Sequence, residues 1–181
     1  MTKLSYAALV GMALVLAGCS APPAPPAESS APPEAPPLLN VRKYEQDPCA
    51  LLPQAAEVFN AVRNRETTGA VMPSCTWTDS KNSTLTIGFA GAVGGLAAIG
   101  QNRSSTGYFD PAPAIDGYPA AYTNVLDNRG QGGCQVAVGV RSDETFTSSV
   151  VLHPRSPSYD DPCAVALKAA TAVVATLRSA S

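Results

Sequence analysis

Cys49, Cys75, Cys134 and Cys163 constrain the fold of this chain more than any other residues. Residues 1–18 ahead of them read as an export signal. Lys3 gives a positive start, Ala7 to Leu16 an apolar stretch, and Ala17-Gly18 a small-residue end. Beyond the cytosol an even set of cysteines forms disulfides, so two structural bonds are expected. There is no Cys-x-x-Cys, and His153 is the only histidine. A thioredoxin-like site and a zinc site, which needs close ligand pairs, both lack their residues. The expectation is no metal and no cofactor.

Two cysteines sit in matching contexts, Asp47-Pro48-Cys49-Ala50 and Asp161-Pro162-Cys163-Ala164. Asp is a good N-cap and Pro suits the first helical position, so each context starts a helical segment. After the second, Cys163, Leu167, Ala170, Val174 and Leu177 recur at helical spacing and form one apolar face. After the first, Pro53 interrupts. A single turn over 47–52 is expected, then a helix from near Pro53 to about Val62 with Ala56, Phe59 and Val62 inward. Between these ends the alternation is that of strands: 74–79, 84–90, 120–127, 133–141 and 145–153. Residues 91–118 read largely as Gly- and Ser-rich loop.

The fold class expected is α+β, an antiparallel sheet with N- and C-terminal helices on one face and two disulfides. Four cysteines allow three pairings. The preferred one joins the two helix starts, Cys49–Cys163, and two sheet positions, Cys75–Cys134.

The segment Leu16-Ala17-Gly18-Cys19 looks like a bacterial lipobox, in which the cysteine is acylated and becomes the first mature residue. The apolar stretch before it is short for a membrane span. Membrane attachment is therefore expected through acylated Cys19, on the outer face of the plasma membrane. Residues 19–37 form a tether with Pro22, Pro23, Pro25, Pro26, Pro32, Pro33, Pro36 and Pro37. Such a stretch buries no core and extends to on the order of 50 Å. Residues 38–181 then make one domain.

With 12 basic against 14 acidic residues the formal charge is −2, and loss of Lys3 with the signal makes it more acidic. No basic stripe exists to neutralise phosphates, which argues against nucleic acid as a partner.

The series Asp47-Pro48-Cys49, Cys75-Thr76-Trp77, Gly117-Tyr118-Pro119-Ala120, Cys134-Gln135-Val136 and Asp161-Pro162-Cys163 follows the lipobox and tether. As a set it resembles a family of actinobacterial lipoproteins classed only as a domain of unknown function, the broad LprB- and LprC-like group. The resemblance covers about 40–180 and implies an exported, lipid-anchored envelope protein with paired cysteines. It supplies no catalytic residues.

Catalytic material is thin. His153 precedes Pro154 at a strand end, and neither a Gly-x-Ser-x-Gly elbow nor a Ser-x-x-Lys signature occurs. Asp160 and Asp161 read as helix-start residues, and the glycines near Gly88, Gly91, Gly94 and Gly95 lack the lysine of a phosphate loop. Arg103, Tyr108, Phe109 and Tyr118 instead form a candidate partner-binding group, because aromatic and Arg side chains concentrate interface energy. The function expected is a non-enzymatic binding or organising module for an envelope protein or cell-wall partner. The alternatives are an accessory hydrolase of wall or lipid metabolism, marked by a deep pocket with His153, and a lipid or small-ligand carrier, marked by an apolar cavity.

Overall fold

The computed structural model describes residues 35–52, 55–68, 72–90, 94–102 and 107–180. The export signal, Cys19, the tether through residue 34, Pro53, Arg103 and the side chain of Ala56 lie outside the described residues. Two 3-10 turns, Arg42–Tyr44 and Pro48–Leu51, lead into helix α1 (Ala55–Phe59). Strands β1 (Ala61–Thr67), β2 (Ser74–Asp79) and β3 (Thr84–Phe89) follow, then helix α2 (Leu96–Gln101). Strands β4 (Tyr108–Ile115), β5 (Tyr118–Asn124), β6 (Gly133–Gly139) and β7 (Thr145–Val151) precede the long helix α3 (Pro162–Ser179).

The strands form one antiparallel sheet in the order β1-β2-β3-β7-β6-β5-β4. Alternation sends Trp77, Leu85, Ile87, Phe89, Val136, Val138, Phe146 and Val150 to one face, where α3 covers β6 and β7 while α1 and the Pro48–Leu51 turn lie against β2. The α+β class with helices on this face is as expected.

Helix α3 lies against the sheet through Ala166, Ala169, Ala170, Val173, Val174 and Leu177, all buried. Cys163 and Leu167, expected on this face, are half-buried beside it. The small alanines turn the stripe because they bring the helix backbone close to the strand. The fully buried Ser148 hydroxyl on β7 donates to the Ala166 carbonyl at 2.9 Å. Asp161 caps α3 by accepting from the Ala164 N–H at 3.2 Å, and Asp47 caps the Pro48 turn by accepting from Ala50 at 3.3 Å.

The disulfides are Cys49–Cys75 and Cys134–Cys163, which corrects the expected pairing. In the sheet order, β3 and β7 stand between Cys75 on β2 and Cys134 on β6. Three strand spacings put them roughly 14 Å apart, beyond the reach of a disulfide. Each Asp-Pro-Cys turn instead begins over its own strand, Cys49 over β2 and Cys163 over β6.

Two further expectations change. The helix expected to run to Val62 ends at Phe59, because Asn60 takes φ 52° and turns the chain into β1. Val62 is therefore 62% exposed rather than inward, while Phe59 is buried as expected. The stretch expected as loop over 91–118 contains α2 and β4.

At the leading end, Pro36 packs over Gly117, which has φ +88°, and the Tyr118 hydroxyl donates to the Pro37 carbonyl. Leu39 and Val41 are buried. Arg42 closes the segment onto the β6–β7 turn, its Nε 2.6 Å from the buried Glu144 carboxylate and its Nη2 3.2 Å from Asp143.

A candidate binding trough on the open sheet face

The sheet face opposite α3 is built from the alternate residues of the same strands. The register aligns Arg65, Thr76, Thr86, Ser149 and Gln135 side by side across β1, β2, β3, β7 and β6. Thr123 and Phe109, paired on β5 and β4, continue the line. Strands stand about 4.8 Å apart, so the polar lane from Arg65 to Gln135 is roughly 19 Å long, and Thr123 and Phe109 extend it beneath α2. Parallel lines add Arg63, Thr78, Thr84 and Val151 on one side and Thr67, Ser74, Gly88 and Thr147 on the other.

From β2 to β6 the outward residues of this face include no Lys, Asp, Glu or Arg. Solvent faces usually carry mixed charges. Here the floor is mainly short hydroxyl side chains, half-buried at Ser74, Thr76, Thr78, Thr84, Thr86 and Ser149, with Val151 exposed among them and Thr76 and Thr86 sharing a hydrogen bond at 3.0 Å.

Tall walls bound this floor. On one side Arg63 and Arg65 project from β1, forming with Thr76, Thr78 and Thr84 a hollow of about 370 Å³. Arg63 donates to Asn82 Oδ1 at 2.9 Å, and Arg65 is exposed. On the other side stands α2. It can approach because a Cβ on Gly95 would lie 2.0 Å from the Ser142 carbonyl oxygen, and one on Gly139 would lie 3.0 Å from Leu96 Cβ. Any larger residue at Gly95 would push the helix away.

At the foot of α2 is a cleft of about 300 Å³, with Met72, Ala98, Ile99 and Val125 as apolar lining and Gln135 and Thr147 as polar lining. It opens where the ladder between β5 and β6 stops, at Tyr122–Val136. Thr123 also lines it, 2% exposed, with an Oγ1 that has no hydrogen-bond partner in the structure. An unmet buried hydroxyl costs about 1–3 kcal/mol. The cleft is thus an amphipathic recess at one bank of a polar trough.

A larger concavity, about 550 Å³, lies between α1, α3 and the β2–β3 turn. Lys168 of α3 lines it, and its other charged groups, Asp79 and Lys81, hold that turn together. Asp79 accepts from the N–H groups of Lys81 (2.7 Å) and Ser83 (2.8 Å), and Lys81 Nζ donates to the Arg155 carbonyl at 3.2 Å.

Of the four residues singled out for partner binding, the three that are described do not share one face. Tyr108 and Tyr118 are 8% and 2% exposed and belong to the α3 side of the sheet, where they pack within the domain. Phe109 faces the opposite way, half-buried beneath Gly100 of α2, and Arg103 lies outside the described residues.

Tyr108 sits under Arg129, whose guanidinium is 4.1 Å from the ring centroid. Burial pushes the Tyr108 phenol up, against the lowering effect of the Gln135 backbone and Arg129. Arg129 also bonds Asp127 at 2.6 Å and Asp110 at 2.8 Å, tying the 129–131 turn to β4. These hydrogen bonds from Arg129 hold the Asp127 carboxyl below its ordinary value.

A carboxylate with a lowered pKa stabilises the fold above its unfolded pKa, and the contribution disappears as pH falls through the folded value. Arg129→Gln is expected to leave a shallower loss of Tm below about pH 4 than the parent shows. Thermal melts across that acid range check it, and parallel curves would remove the pair from the acid response.

His153 follows β7, and its Nδ1 accepts the Arg155 N–H at 3.1 Å, a turn-closing bond. Asp161 is a helix cap. Among the described residues no group of three His, Cys, Asp or Glu side chains is placed to hold a metal, and no helix is long and apolar enough to cross a membrane.

Sequence reasoning missed Arg63, Arg65 and the hydroxyl lane. The only signal was the density of Thr and Ser at alternate positions of the strands.

No curated protein and no solved structure matches this chain. A family of proteins of unknown function, DUF3558, matches over residues 14–176. That span contains every strand and both disulfides, and the chain belongs to this DUF3558 family.

Proposed function

We propose that this protein is an exported envelope component, held to the outer face of the plasma membrane by acyl chains on Cys19, that binds or organises a partner without catalysing a reaction. The observation that carries the reading is the trough: a charge-free hydroxyl floor between an arginine bank and an amphipathic cleft. It offers recognition groups in quantity. His153 and Asp161, the residues most open to a catalytic role, are engaged in a turn and a helix cap. The cleft, at the low end of ligand-pocket volumes, lends support to the carrier alternative for a small apolar group.

The test is retention of the detergent-solubilised mature chain on purified envelope fragments. Thr86→Glu with Ser149→Glu places bulk and negative charge on the trough floor, at half-buried positions on the solvent side. Retention is expected to fall at least tenfold, with the melting curve showing that the variant folds. Lys168→Glu, on α3, is expected to bind as the parent does. Equal retention of all three proteins would overturn the trough as the binding surface.

A further inference from the structure

We infer that the occupant of the trough is a hydroxyl-rich chain bearing anionic groups, a carboxylated or phosphorylated glycan, with Arg63 and Arg65 reading its anions. The inference rests on the binding reading above and adds the chemistry of the ligand.

Each wall and floor group narrows the class. The floor residues Thr76, Thr78, Thr84, Thr86 and Ser149 present hydroxyls, which donate and accept, and sugar hydroxyls have the same dual character. On β1, two residues apart and on the same face, Arg63 and Arg65 present guanidinium forks matched to carboxylate or phosphate oxygens. No outward carboxylate on β2, β3, β7 or β6 opposes an anion lying on the floor. The chain as a whole is acidic, so this local positive edge is a feature of the site rather than of the composition.

Other partners fit less well. A protein surface draws its affinity from central Trp, Tyr or Arg anchors, and the floor has none. A single-stranded nucleic acid needs a tracking row of cations with aromatic platforms, whereas this face has two arginines at one bank and Phe109 at the far end. A peptide adding as a strand uses a sheet edge, not a sheet face. A hydroxyl-bearing chain with intermittent anions uses both the floor and the bank.

The experiment measures binding of the mature chain to three probes: oligogalacturonate, an uncharged malto-oligosaccharide and poly-L-glutamate. Oligogalacturonate is expected to bind at least tenfold more tightly than either of the others, and more weakly as salt is raised. Arg65→Ala should weaken it about tenfold, and Arg63→Ala with Arg65→Ala should bring it to the level of the neutral sugar. Arg65→Lys should recover only part of the loss. Thr86→Val with Ser149→Ala, which keeps the shape of the floor, should erase the preference over polyglutamate.

Equal binding of polyglutamate would overturn the glycan and leave a general polyanion site. Binding unchanged by both arginine variants would overturn the anion-reading role. If no probe binds while envelope fragments still retain the chain in a trough-dependent way, the ligand class is wrong and the binding reading stands. If the fragments do not retain it either, both fall.

Discussion

Phe146→Ala is expected to cost about 4 kcal/mol, enough to lower Tm by roughly 10 °C. Phe146 is fully buried on β7, the central strand, paired with Phe89 on β3 and Val138 on β6. Truncating it leaves a cavity where both halves of the sheet meet beneath α3, and flanking strands cannot collapse into it without breaking their ladders. Urea unfolding reads the effect as a fall in midpoint with the slope unchanged. Ser149→Ala, three residues along on the open face, should move stability by less than about 0.5 kcal/mol. Equal effects at the two positions would mean that the two faces are not divided into core and solvent sides as described.

The second large effect belongs to the Cys134–Cys163 bond, which spans 29 residues. Chain entropy sets its contribution at about 3.5 kcal/mol, an upper figure since residual structure in the unfolded chain reduces it. Cys134→Ala with Cys163→Ala removes it without leaving buried thiols. Loss of amide protection should concentrate in the first turns of α3, which Asp161 caps and Cys163 bonds to β6. The Cys49–Cys75 bond spans 26 residues, and the same model gives it nearly the same entropy. Its removal should instead loosen the Pro48–Leu51 turn over β2. Hydrogen exchange separates the two variants, and identical protection maps would contradict the pairing.

The parts of the fold legible in the sequence were those whose local pattern matched their final environment. Trp77 and Cys75 alternate with Thr76 and Thr78 because β2 has one buried and one open face. The stepped apolar residues of α3 mark a helix that lies on a sheet. Strand β1 has no such contrast: it is exposed along nearly its whole length, so Arg63 to Thr67 show no alternation. Strand β4 contains Pro111 and Pro113, which argue against a central strand, but β4 lies at the sheet margin where missing N–H donors are tolerated. Helix α2 is only six residues long and ends Gly-Gln, too short a span for periodicity to register.

The trough was illegible for a different reason. Arg65, Thr76 and Thr86 line up through the β1-β2-β3 meander, but Ser149 and Gln135 join them only once β7 is inserted between β3 and β6, a non-local choice with no local mark in the sequence. The same insertion decides the cysteine partners. The aromatic residues near 108–118 were conspicuous in sequence and are mostly interior in the fold, since an aromatic in a Gly-rich stretch reads alike whether it caps a surface or fills a core.

The two disulfides also determine how the domain carries load. For a protein held by its N-terminal end, as proposed, drag on the domain is transmitted through the leading segment. Residues 35–48 can peel away, breaking the Pro37–Tyr118 bond and the Arg42 contacts, but the pull then reaches Cys49 and passes covalently into β2. Traction on the other terminus unwinds α3 only as far as Cys163, where it passes into β6. Both paths end in strands inside the sheet rather than at its margins, so tension shears several hydrogen bonds together instead of unzipping them one by one.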